Sequence, residues 1–139
     1  IVMNVVYFAS AYPAGWLSDR VNRVGLLMIG LVVLVASDLT LALSTQLAGI
    51  LLGIVLWGLH MGLTQGLLTA MIANTALPAL RGSAFGVFYF INGIATLLAS
   101  FLAGAHWVWH GPPLTFFAGA IFSSLALLGL FWWRFRFNK

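Results

Sequence analysis

Apolar residues run along the chain in five long stretches, each closed by a short polar or turn-forming segment. The stretches are Ile1 to about Leu17, about Gly25 to Ser44, about Leu47 to Ala76, about Ser83 to Ala105 and about Leu114 to Trp133. A helix needs about 20 apolar residues to cross a hydrocarbon core about 30 Å thick, because each residue rises about 1.5 Å. Barrel strands would show about ten-residue segments of alternating polarity, so the unbroken runs predict helices. The expected fold is all-α: a polytopic membrane helical bundle of five transmembrane helices, forming one partial bundle over residues 1–139. Ile1 is not an initiator Met, and the first run lacks the basic leader and cleavage site of a signal peptide. The first span is therefore expected to be truncated, with helices of the same protein missing upstream.

Composition agrees, with 63% hydrophobic and 6% charged residues, against about 25% charged in an ordinary soluble domain. Lipid must solvate much of this surface. Seven of the eight charged residues fall in three places: the Ser18–Arg23 connection, the Pro78–Gly82 connection and the tail from Arg134 to Lys139. With five spans these ends share one side, and the other two connections carry no Lys or Arg. The positive-inside rule then puts the charged side and the C-terminus in the cytoplasm, here across a bacterial inner membrane. The net charge of +4 is too scattered for a nucleic-acid patch. There is no Cys, which removes disulfides, zinc-thiolate sites and Cys nucleophiles.

Within the spans, small residues and polar residues repeat at helical spacing. Gly58, Gly62 and Gly66 form one ridge on the third span, where another backbone can approach closely. Ala95, Ala99 and Ala103 on the fourth span and Gly119 with Ser123 on the fifth repeat the device. His60 and Thr64 lie across the third helix from Gly62. Asn92, Thr96 and Ser100 form a polar stripe on the fourth, and Asn4 with Tyr7 offers polar groups on the first. Polar groups at membrane depth are costly unless they face a partner or a wet cavity. These stripes either line a cavity or hydrogen-bond between helices.

The first connection, Gly15-Trp16-Leu17-Ser18-Asp19-Arg20-Val21-Asn22-Arg23, resembles the signature loop of the major facilitator superfamily of secondary transporters, written G-x-L-x-D-R-x-G-R-[KR]. Gly15, Leu17, Asp19, Arg20 and Arg23 match. Asn22 replaces the second Gly and is expected to keep the tight turn at positive φ, while Val24 replaces the final basic residue. Pro78-Ala79-Leu80-Arg81-Gly82-Ser83-Ala84-Phe85-Gly86 resembles the family's P-x-x-x-R-G-x-x-x-G connection, with Asn74 where many relatives carry an acid. The resemblance implies a twelve-helix fold that rocks two bundles around a midplane site. It places this chain at helices eight to twelve, since the tail is short and basic and the loop is the more degenerate copy. Gly15, Asp19, Arg20, Arg23 and Arg81 would form a cytoplasmic gate.

Asp38 is the only charge away from those ends, and His60 would lie on the cavity-lining tenth helix; both are candidates for proton coupling. His106 and His110 have the i, i+4 spacing of metal ligands, yet Trp107 and Trp109 between them read as an interfacial aromatic loop. No metal site, cofactor or enzyme activity is expected. The function implied is a fragment of a proton-coupled secondary transporter moving a small solute. Its partners would be that solute, the bilayer and the missing N-terminal helices, with no nucleic acid. The alternative is a non-transporting multi-span scaffold or interaction subunit.

Overall fold

The computed structural model describes residues 1–137; Asn138 and Lys139 of the basic tail lie outside the described residues. The order is α1 (Val2–Ser18), α2 (Arg23–Leu43), α3 (Leu47–Thr75), a single 3-10 turn (Pro78–Leu80), α4 (Arg81–His110) and α5 (Pro112–Phe137). No strand occurs among the described residues. The last four helices are long and apolar enough to cross a membrane. At 17 residues, α1 is roughly 25 Å long by helical rise and packs along α3 as the fifth member.

The side-by-side order follows from which residues meet. Met3 and Tyr7 of α1 lie against Gly58 and Gly62 of α3, so these two helices run parallel. Gly30 of α2 meets His60 and Thr64 of α3, while Ser37 meets Gly53, so α2 and α3 run antiparallel. Asp38 of α2 meets Gly119 and Ser123 of α5, and Gly25 meets Arg134, which makes α5 antiparallel to α2 as well. The block is therefore a row, α1, α3, α2, α5. Helix α4 lies beside this row and buries none of its own residues. Because Arg134 reaches Gly25, the first connection and the tail share one end of the bundle, and by alternation the Arg81 connection shares it too.

The sequence expectation is corrected at two turns. Asn22 has φ −61°, and no residue other than glycine has positive φ among the described residues. Its carboxamide oxygen instead accepts from the backbone N–H of Val24 at 2.9 Å and of Gly25 at 3.2 Å. Asn works here as the N-cap of α2, satisfying donors that a helix start leaves orphaned. The second turn is the aromatic segment between the fourth and fifth spans, which is not a loop. Residues 106–110 continue α4 to His110, and one residue, Gly111 at φ 81°, separates it from Pro112 at the start of α5. Helix geometry persists until a residue that can take positive φ ends it, and proline, lacking an N–H, suits the next first turn.

Candidate functional site

Four of the five candidate gate residues lie at or beside the α1–α2 turn. Asp19 is the C-cap of α1, and its carboxylate lies 3.9 Å from the Arg23 guanidinium one turn on. Both groups are solvated, with the Asp19 side chain 77% exposed, so the pair contributes roughly 0–1 kcal/mol and exchanges partners easily. Arg20 lies over the Trp16 ring at 3.9 Å. Gly15 meets nothing where a Cβ would stand, and its carbonyl accepts from the buried Ser18 hydroxyl at 2.7 Å. Arg81 opens α4, exposed, directly after the Pro78 turn. Among the described residues Arg23–Asp19 is the one ion pair.

The polar residues divide into two groups. The first sits in seams between helices. His60 Nδ1 lies 2.8 Å from the Gly30 carbonyl oxygen; a carbonyl only accepts, so Nδ1 carries the proton and donates. Thr64 is buried, with its methyl filling the space left by the missing side chain of Gly30, and its hydroxyl donates to the His60 carbonyl at 2.9 Å. This hydrogen bond links α3 to α2. The Ser37 hydroxyl, fully buried, donates to the Gly53 carbonyl at 2.8 Å. Asp38 is buried between α2 and α5, where Ser123 donates to Oδ2 at 3.5 Å and Gly119 leaves room for the carboxyl. Ser37 was missed in the sequence, although its pairing with the Gly49/Gly53 series could have marked that face.

The second group has no seam. Asn92, Thr96 and Ser100 are all exposed on α4, as are Asn4 on α1 and Gln65 on α3, while Tyr7 is half-buried. Gln65 escaped the sequence reading, although Thr69 follows it at four-residue spacing. The glycine ridge divides in the same way. A methyl on Gly58 would stand 2.6 Å from the Met3 carbonyl oxygen, and one on Gly62 would collide with Ser10 and lie 3.1 Å from the Tyr7 carbonyl. Gly66 faces open space; the ridge packs with two members, not three.

The end opposite the charged connections carries an aromatic bridge. Phe116 of α5 meets Trp57 of α3 at 6.4 Å and Trp107 of α4 at 6.3 Å, both edge-on. His106 and His110 lie 5.4 Å apart, ring to ring, one turn apart on α4.

The family model of the Major Facilitator Superfamily matches residues 1–138. The chain belongs to the Major Facilitator Superfamily. Within this superfamily it is 33% identical over 131 residues to an uncharacterized MFS-type transporter of Methanocaldococcus jannaschii, covering 92% of this chain and 33% of that protein. It is 28% identical over 108 residues to the arabinose-proton symporter of Bacillus subtilis, covering 70% of this chain and 23% of the symporter. The fold matches that of a peptide transporter crystallised with alafosfalin, at a TM-score of 0.82 and 22% identity, over 96% of this chain and 28% of that one. The chain thus spans a third or less of the length of these superfamily members. It is an integral, multi-pass membrane protein.

Proposed function

We propose that the chain supplies helices eight to twelve of a secondary active transporter that moves a small solute across a bacterial inner membrane by alternating access, driven by protons. The degenerate signature loop, with Val24 after Arg23, supports the second-half placement. The positive-inside rule supports a cytoplasmic location for the charged end and C-terminus. The likeness to an arabinose-proton symporter supports both a small polar solute and proton coupling. The observation that carries the reading is the α4 stripe. Asn92, Thr96 and Ser100 lie unburied on a helix that spans the bilayer, which is costly in lipid and favourable beside water or a polar solute. Asn4, Tyr7 and Gln65 extend that lining from α1 and α3. The missing N-terminal helices would close the other side of the cavity.

Asp19 and Arg23 act as a latch at the cytoplasmic end. Their exposed, weak ion pair can give way to contacts with Arg81 or with the opposite bundle in one state and re-form in the other. His60 is the proposed proton carrier. Its Nδ1 is committed to Gly30, leaving Nε2 to take and release a proton as α2 and α3 shift. Asp38, tied to Ser123, is the second candidate. The reading is tested by reconstituting the whole protein in proteoliposomes and measuring solute uptake under an imposed proton gradient. Gradient-driven uptake that slows in Asp19→Asn, and loses its pH dependence in His60→Gln, is the expected outcome. A well-folded protein that catalyses no flux with any small polar solute would instead favour a scaffold or interaction subunit.

A further inference from the structure

Between α2 and α5, on the charged half of the bundle, lies an open groove of about 460 Å³. Its walls are wholly apolar: Met28, Val32 and Val33 from α2, and Leu127, Leu128 and Phe131 from α5. Arg134 stands at its charged end, where the guanidinium lies 3.7 Å from the Met28 sulfur and approaches Gly25, whose missing side chain makes the room. A thioether is a weak acceptor and leaves that charge unneutralised. Among the described residues only two side chains carry a carboxylate: Asp19 is engaged with Arg23, and Asp38 lies 13 residues along α2 from Gly25, about 20 Å away by helical rise. Arg136 stands near the same end, 5.1 Å over the Trp132 ring.

The dimensions fit one lipid. From Arg134 back to Leu127 is about 10 Å of helix, most of the depth of one leaflet, about 15 Å, which is half the hydrocarbon core. An acyl chain lying in the groove would place its headgroup at the level of Arg134. We propose that the α2–α5 groove is a binding site for an anionic phospholipid, with one acyl chain between the two helices and the phosphate paired with the Arg134 guanidinium. Arg136 adds to the local positive field and the apolar walls hold the chain. The site stands apart from the transport reading, since neither helix contributes to the α4 stripe.

The test uses the whole protein, delipidated in detergent and mixed with dioleoyl phosphatidylglycerol or dioleoyl phosphatidylcholine, with retained lipid counted by native mass spectrometry. The wild type should keep about fivefold more phosphatidylglycerol, the discrimination expected of one basic side chain beside an anionic headgroup. Arg134→Gln should bring the two lipids to parity, and Arg134→Lys should keep most of the preference. Val32→Trp with Leu128→Trp, which fills the groove, should reduce retention of both lipids. Equal retention of the two lipids by the wild type, an undiminished preference in Arg134→Gln, or a groove covered by a second copy and seen as a lipid-free dimer, would each overturn the proposal.

Discussion

Helices α3 and α4 are nearly equal in length, 29 and 30 residues, and both carry small residues and polar residues at four-residue spacing. Their surroundings differ. On α3, Gly58 and Gly62 admit the backbone of α1, Gly53 admits Leu41, and His60 and Thr64 fill the space beside Gly30. On α4, a side chain added at Gly82, Gly86, Gly93 or Gly104 would meet nothing, and Ala95, Ala99 and Ala103 have no helix against them. The same kind of repeat is thus a packing seam in one helix and an open face in the other. A small-residue ridge permits close approach but does not supply the partner. The polar stripe beside the empty ridge on α4 suits a helix whose face is kept for water, solute or the opposite bundle.

Overfilling the seams should break that contrast most severely. Gly62→Leu must push apart the backbones of α1 and α3, a cost of at least the roughly 1–3 kcal/mol of core overpacking, and should lower the thermal midpoint sharply in detergent. Gly93→Leu on α4 should leave the midpoint almost unchanged. Equal losses at both positions would mean that α4 is packed as tightly as α3. Removing a seam hydrogen bond is a smaller change. Ser37→Ala deletes the donor to the Gly53 carbonyl and should cost about 0.6 kcal/mol, the average for such bonds between membrane helices; His60→Phe should cost a similar amount, both read from unfolding curves. Gly93→Ala is smaller again: with no neighbour to strike, it should be neutral or stabilise by up to about 1 kcal/mol through helix propensity.

Much of the architecture was legible because membrane helices obey a few strong rules. Run lengths gave the five elements, and the clustering of charge gave the common end that the Arg134 and Gly25 contact displays in three dimensions. Turn chemistry was harder to read. Asn22 suits both a positive-φ turn and an N-cap, and only the geometry of the Arg23 helix start distinguishes them. The continuation of α4 through Trp109 was hidden because aromatic residues suit an interfacial loop as readily as a helix end. At the candidate site, periodicity found the α4 stripe but could not tell it from the His60/Thr64 pair, since pattern identifies a polar face and not what lies opposite. Gln65 and Thr69 share four-residue spacing, but a two-member pattern does not say that their face is left open.

The central claim is that the α4 stripe faces a water-filled cavity, and cysteine accessibility in the whole protein tests it most directly. Single cysteines at Asn92 and Thr96, and at Ile94 and Leu98 about 200° around the same helix, would be exposed to a water-soluble maleimide in membranes after native cysteines elsewhere are removed. Asn92→Cys and Thr96→Cys should react readily, with rates that change under a proton gradient, while Ile94→Cys and Leu98→Cys stay unlabelled in lipid. Labelling confined to Ile94 and Leu98, or equal on both faces and indifferent to the gradient, would contradict a solute pathway along α4.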